Sequence, residues 1–129
     1  MRRRVRLRRV YDEPSPDDGA RVLVDRVWPR GTTKAAARLD EWLKDVAPSA
    51  GLRTWYGHQP ALYDEFRRRY LAELDDPARA EALERLRTLH REGAITLLTA
   101  TRDIDHSQAA VLAEVLRSSR QDRLRRGAS

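Results

Sequence analysis

The sequence predicts an α/β fold, with a small, mostly parallel sheet flanked by helices in a Rossmann-like three-layer sandwich. Three short stretches have the apolar content and length of strands: residues 4–10, 21–27 and 94–100. Three longer stretches have the apolar periodicity of helices: residues 60–75, 77–92 and 106–118. Strands separated by helices are typical of α/β proteins, which have a largely parallel sheet.

The three predicted strands differ in how they bury their side chains. In residues 4–10, Val5 and Leu7 alternate with arginines, which predicts a half-exposed strand at a sheet edge. Residues 22–24 are contiguous and apolar, and such a run is typical of a strand buried on both faces. The connection between the first two strands is short, so an antiparallel hairpin stays open beside the parallel arrangement.

Helical periodicity is clearest in residues 60–75. Apolar side chains recur there every four positions, at Leu62, Phe66, Tyr70 and Leu74. Residues 39–47 predict a shorter amphipathic helix, and Ser49 is placed to cap a further helical segment. The spacing of Asp105 and Gln108 predicts a capping box at the start of the last helix.

The chain length indicates one domain. A chain of 129 residues with 40% hydrophobic residues is large enough for a single core. We therefore expect one α/β domain over residues 1–118. Residues 119–129 are rich in arginine and have no core pattern, which predicts a basic, disordered tail.

Several classes of protein are excluded by what the sequence lacks. It has no cysteine, which excludes disulfides, cysteine nucleophiles and thiolate metal sites. It has no apolar run near the roughly 20 residues that a membrane helix needs, and no apolar signal segment follows the basic N-terminus. We therefore expect a cytoplasmic protein without a membrane partner. No glycine-rich phosphate loop or zinc pattern is present, so no cofactor is predicted.

Basic charge is concentrated at the two ends of the chain. The net charge is +6, yet residues 1–10 alone contain six arginines and no acid, and residues 117–129 contain five arginines and one aspartate. The middle of the chain is therefore net acidic. Basic arms of this kind bind nucleic acid or acidic lipid head groups. The alternative is that the arginines reflect GC-rich coding and have no binding function. The near absence of lysine, with only Lys34 and Lys44 present, is consistent with such a bias.

Four strings carry a resemblance to a known family: VYDEPSPDDGARVLVDRVWPRG (10–31), LDEWLKDVAPSAGLRTWYGH (39–58), FRRRYLAEL (66–74) and ITLLTATRDIDHSQAAVLAEVL (95–116). Over about residues 3–118 the chain resembles the YeaO-like family of small bacterial domains of unknown function (domain of unknown function 488). The resemblance implies an α/β fold, and it supplies no activity or catalytic residue. Longer relatives often have a cysteine and a histidine opening the last helix. Here His106 stands without a cysteine, so a thiol mechanism is not available.

Charged and aromatic residues follow the second predicted strand directly, in the string RVLVDRVWPRG at 21–31. Ligands of open parallel sheets bind beyond the carboxyl ends of the strands, and guanidinium groups bind phosphate and carboxylate well. The candidate ligand-binding residues at these ends are Asp25, Arg26, Trp28, Arg30, Arg102 and His106. The structural alternative is that the acids and arginines pair with each other, while Trp28 covers the sheet. No metal site is predicted, because Asp105 is needed as a helix cap.

The function predicted from these observations is the binding of a phosphorylated or other anionic small molecule at the carboxyl ends of the strands. Whether the protein is an enzyme stays open, and no catalytic residue or oligomeric state is assigned. One alternative is a nucleic-acid-binding module that uses the arginine-rich termini. The other is a protein-interaction domain that uses the aromatic-rich segment 42–70.

Overall fold

A computed structural model describes the backbone of residues 4–128 and the side chains of residues 4–118. The strands are β1 (Val5–Arg9), β2 (Ala20–Leu23), β3 (Glu41–Trp42) and β4 (Ile95–Thr99). The α-helices are α1 (Lys34–Ala37), α2 (Ala50–Tyr56), α3 (Tyr63–Glu73), α4 (Pro77–Glu92) and α5 (Gln108–Ala128). Among the residues described, none of these helices combines the length and apolar content needed to cross a bilayer.

The four strands form one sheet in the order β1-β4-β2-β3, and every neighbouring pair is parallel. Val5 of β1 and Ala20 of β2 both pair with Ile95 of β4. The first two strands therefore do not form a hairpin, because β4 lies between them. The prediction that residues 4–10 form an edge strand is confirmed, and all carboxyl ends lie at one edge of the sheet.

The two faces of the sheet bury side chains very unequally. On one face, Val22 and Val24 belong to a large cluster to which α2, α3, α4 and α5 all contribute. On the other face, Leu23 and Leu98 belong to a small cluster that is covered by Ala37 of α1 and by neighbouring connections. The predicted burial of residues 22–24 on both faces is confirmed, since all three are fully buried. The small α/β fold with three layers is confirmed too, with one layer much thinner than the other.

The prediction of a helix at residues 39–47 is wrong. The segment contains the short strand β3 and a 3₁₀ turn, Lys44–Val46. The first part of its backbone bonds to β2: the Asp40 amide donates to the Arg21 carbonyl at 2.9 Å, and the Leu43 amide donates to the Leu23 carbonyl at 2.9 Å. Pairing with an open sheet edge outweighs the helical periodicity of the segment, because it satisfies the polar backbone groups of β2.

The predicted helices at 60–75 and 77–92 are confirmed in position by α3 and α4, the last helix begins at Gln108 instead of at 106, and the short helix α1 was not predicted. The Ser49 hydroxyl accepts the Leu52 amide at 3.1 Å, so Ser49 caps α2 as predicted. The periodic apolar residues of 60–75 lie in α3 and the turns at its ends, and two of them, Phe66 and Tyr70, are almost completely buried. The separate tail at 119–129 stays a prediction, because its side chains lie outside the described part. Residues 1–3, with two of the N-terminal arginines, also lie outside it.

A buried ion pair stabilises the amino ends of the strands. Asp18 is 1% exposed and Arg21 is 5% exposed, and their charged groups are 2.5 Å apart. Burial opposes ionisation of Asp18, but hydrogen bonds from the Ser15 backbone and from Arg21 outweigh it and lower its pKa. Arg21 also donates to the Ala37 carbonyl at 2.8 Å, which ties β2 to α1. The two charges neutralise each other, so we assign this ion pair a structural role at the amino ends of the strands.

Gly19 is required where the chain enters β2. Its φ is +64°, and a Cβ there would lie 2.1 Å from the Ala94 carbonyl oxygen. The Ala94 backbone cannot move away from this contact, because its carbonyl oxygen accepts the Ala20 amide at 3.0 Å. We predict that Gly19→Ala lowers the free energy of unfolding by about 2 kcal/mol or more, measured by urea denaturation.

Gly93→Ala is the matched control for this substitution. No atom lies within 4 Å of the position that a Cβ would take at Gly93, and the φ of this residue is not left-handed. The control substitution should change the unfolding free energy by less than about 1 kcal/mol. Equal losses in the two variants would contradict the steric explanation.

Candidate functional site

A cleft of about 360 Å³ opens at the carboxyl ends of β2 and β4. Three parts of the chain line it: residues 25–29 after β2, the segment from Ala47 through α2 to His58, and the residues around the start of α5. Phe66 of α3 lies at its apolar side. The cleft is at the edge of the sheet where parallel α/β proteins bind ligands.

Asp25 is the most constrained group of the cleft. Its Oδ1 accepts hydrogen bonds from the Thr99 hydroxyl and from the Gln108 side-chain amide, each at 2.6 Å. Its Oδ2 accepts the backbone amide of Ala100 at 2.8 Å. The carboxylate therefore joins the end of β2, the end of β4 and the first residue of α5.

The Asp25 carboxyl has a raised pKa. Burial is the main cause, because it removes water from the ionised form. The bonds from Thr99, Ala100 and Gln108 lower the pKa, as does the positive charge of Arg53, but they only partly offset the effect of burial. A perturbed acid in a cleft is a typical feature of a functional site.

Gln108 was predicted as part of a capping box with Asp105, and this prediction is wrong. A 3₁₀ turn, Ile104–His106, lies between the strand and α5, and Ser107 then precedes the helix. The Ser107 hydroxyl accepts the Ala110 amide at 3.4 Å, which is a weak cap. The Gln108 side-chain amide donates to the Asp25 carboxylate instead. A hydrogen bond to an ionised acceptor is stronger than one to a neutral acceptor.

The predicted cluster of three arginines does not come together in the cleft. Arg26 lines it, and its guanidinium pairs with Asp45 at 3.2 Å. Arg30 and Arg102 are exposed and are not among the residues that line the cleft. The Arg30 carbonyl accepts the Tyr11 hydroxyl at 2.7 Å, which holds the loop after β2.

The cation that sequence reasoning missed is Arg53 of α2. It lines the cleft and acts on the Asp25 carboxyl through its charge. Among the residues whose side chains are described, no carboxylate forms an ion pair with Arg53 within 4.0 Å. Two signals could have indicated it: Arg53 lies in one of the strings that carry the family resemblance, and it is one helical turn from Tyr56, which also lines the cleft.

Trp28 lies in the cleft wall and also packs against the smaller core cluster. Its indole N–H donates to the Thr32 carbonyl at 3.0 Å, and its ring meets Trp42 edge-on at 5.3 Å. The indole N–H of Trp42 in turn donates to the Asp25 carbonyl at 2.7 Å. The two tryptophans therefore fix the loop that presents Asp25, and Trp28 offers an apolar surface to the cleft.

His106 lies behind the cleft rather than in it. Its Nδ1 is 2.8 Å from a carboxylate oxygen of Asp103, and its ring meets Tyr63 edge-on at 5.2 Å. Its carbonyl accepts the Tyr56 hydroxyl at 2.6 Å. His106 thereby connects α5 to α2. Among the described side chains, no group of three or more histidines and carboxylates is arranged to bind a metal ion.

The raised pKa of Asp25 predicts a particular dependence of stability on pH. A carboxyl with a raised folded pKa contributes stability that is fully present below its unfolded pKa of about 3.9 and is lost as pH rises through the folded value. We predict that the unfolding free energy of the wild type, minus that of Asp25→Asn, falls as pH rises from about 4 towards 8.

Chemical denaturation at a series of pH values measures this difference, and Asp105→Asn on the exposed turn is the control. Asp105 is exposed and makes no comparable set of hydrogen bonds within the described residues, so its variant controls for the removal of a carboxylate as such. A difference for Asp25→Asn that rises with pH would contradict the assigned direction of the shift.

Comparisons with known proteins agree with the fold and with the strings noted in the sequence. A family model described as the inactive DUF488-N3 subclade matches residues 4–128. The uncharacterized protein Rv3073c of Mycobacterium tuberculosis (strain ATCC 25618 / H37Rv) is 54% identical over 113 residues, which cover 88% of this chain and 93% of the relative. The uncharacterized protein YeaO of Escherichia coli (strain K12) is 40% identical over 114 residues, which cover 88% of this chain and 97% of that protein.

No solved structure matches the chain significantly. The family match extends over nearly the whole chain, and the similarity to YeaO covers nearly all of that protein. The resemblance predicted from the sequence is thus confirmed: the chain belongs to the YeaO-like DUF488 family, within the subclade described as inactive DUF488-N3.

Proposed function

We propose that this protein binds a small anionic ligand, bearing a phosphate or a carboxylate, in the cleft at the carboxyl ends of β2 and β4. The role is one of binding. The description of the matching subclade as inactive supports this choice over catalysis, as does the lack of cysteine in the chain.

The observation that carries the proposal is that Arg53 lines the cleft without an ion-pair partner among the described side chains. Most arginines with described side chains pair with acids, as Arg67 does with Glu114 and Arg85 does with Glu41. Arg53 is exposed and lines the cleft, and among the described side chains no acid lies within ion-pair distance of it. A guanidinium in this position is suited to bind phosphate or carboxylate through two parallel hydrogen bonds.

The rest of the cleft supports the same conclusion. Its volume lies within the range of small-molecule sites, about 300–1,000 Å³. Tyr56 and Phe66 stack with their ring centres 4.2 Å apart and form an apolar wall, while Thr101 and Ser107 add hydroxyl groups. An apolar wall with a few polar groups is the usual composition of a ligand pocket.

The Arg26–Asp45 pair offers a second cation for the ligand. Both side chains are about half exposed, so the pair is weak and its guanidinium can exchange Asp45 for an incoming anion at small cost. Arg26 and Arg53 would then both contact the anionic group of the ligand.

We predict that phosphate-containing compounds raise the melting temperature of the wild-type protein, and that Arg53→Ala weakens their binding about tenfold or more. A thermal-shift screen of inorganic phosphate, nucleotides and sugar phosphates at two salt concentrations measures this. The physical reason is the loss of a charge-assisted, bidentate contact.

Arg102→Ala is the matched control for Arg53→Ala. It removes the same charge from an exposed site beyond the same sheet edge, and Arg102 does not line the cleft. Binding should be unchanged in this variant. The proposal fails if no compound stabilises the protein, or if the two variants lose affinity equally.

A further inference from the structure

The geometry points to a zwitterionic ligand: a small molecule whose anionic group contacts Arg53 and whose ammonium group contacts Asp25. This inference rests on the proposed function and narrows it from anions in general to amino-acid-like or aminoalkyl-phosphate-like compounds.

The first support is the unused acceptor capacity of Asp25. A carboxylate offers about four acceptor positions, and the protein fills three of them. Two of these bonds reach Oδ1 and only one reaches Oδ2. The protein therefore leaves one acceptor position of Oδ2 unused, and Asp25 lines the cleft that the ligand would occupy.

The second support is the separation of the two charges. Asp25 and Arg53 line the same cleft and influence each other electrostatically, yet among the described contacts no ion pair within 4.0 Å joins them. Two groups of opposite charge therefore line the same cavity without forming an ion pair. A ligand with both charges can occupy this cavity and satisfy each of them.

The third support is the charge balance of the cleft lining. Its charged side chains are Asp25, Arg26 and Arg53, and Arg26 already has Asp45 as a partner. Before a ligand binds, Asp25 and Arg53 are therefore the two charged groups of the lining without an ion-pair partner among the described side chains. A simple anion on Arg53 would lie in the same cleft as Asp25, and an anion and an ionised carboxylate repel each other. A zwitterion avoids this repulsion.

The other titratable groups near Asp25 add no carboxylate to the described lining of the cleft. His58 lines the cleft, and Tyr56 uses its hydroxyl as a donor to the His106 carbonyl. Asp103 is 2.8 Å from the His106 ring and so has its own partner. Only Asp25 therefore presents a free carboxylate acceptor to the described part of the cleft.

Two pairs of nearly isosteric probes test the inference by titration calorimetry at pH 8. Phosphoethanolamine is compared with propyl phosphate, and 4-aminobutyrate with pentanoate. Each pair keeps the anionic group and replaces the ammonium by a methyl. We expect the zwitterion to bind about tenfold more tightly in at least one pair, because it gains a charge-assisted hydrogen bond to Asp25.

Variants assign the effect to the two residues. Asp25→Asn should bring the affinities of a pair to within about twofold of each other, and Arg53→Ala should weaken both members of the pair. If Asp25→Asn does not fold, the ratio measured on the wild-type protein decides the matter, since it needs no variant.

The outcomes separate this inference from the proposed function. Equal affinities within both pairs, with binding still dependent on Arg53, would overturn the zwitterion and leave anion binding standing. Binding of the zwitterion that depends on Asp25 and is indifferent to Arg53 would overturn both, as would the absence of binding by all four probes at millimolar concentration.

Discussion

The carboxylate of Asp25 accepts hydrogen bonds from three groups in two parts of the chain, and the geometry of the cleft depends on them. The Thr99 hydroxyl comes from β4, the Ala100 amide from the loop beyond it, and the Gln108 amide from the start of α5. These bonds join β2 to β4 at their carboxyl ends and set the direction in which α5 leaves the sheet. Removal of water from the Asp25 carboxyl disfavours its ionised form and raises its pKa, and the three donors offset this effect only in part.

The charged side chains at the two ends of the sheet are arranged in opposite ways. At the amino ends, Asp18 and Arg21 are buried and neutralise each other, which is what a structural ion pair requires. At the carboxyl ends, Asp25 and Arg53 face a cleft without forming an ion pair. The charged groups at the amino ends are thus paired with each other, whereas those at the carboxyl ends line a cleft. This division agrees with the general rule that ligands bind beyond the carboxyl ends of parallel strands.

Much of the fold followed from local sequence patterns, and the failures have identifiable physical causes. Contiguous apolar residues at 22–24 identified a strand buried on both faces, and Ser49 identified the start of α2. The segment 39–47 has helical periodicity but pairs with β2, because an open sheet edge competes for its backbone. Gln108 has capping-box spacing but bonds to Asp25, because a carboxylate distant in sequence is the stronger acceptor.

The sequence by itself determined the family, the fold class and the sheet edge at which Asp25, Arg26 and Trp28 emerge, since these depend on local patterns and on strand direction. Only the tertiary structure decided which charges share the cleft. It left Arg30 and Arg102 outside and brought in Arg53, whose helix lies far along the chain from β2. The reason is that packing of α2 against the sheet depends on contacts between distant residues, such as the Tyr56 bond to His106, which no local pattern encodes.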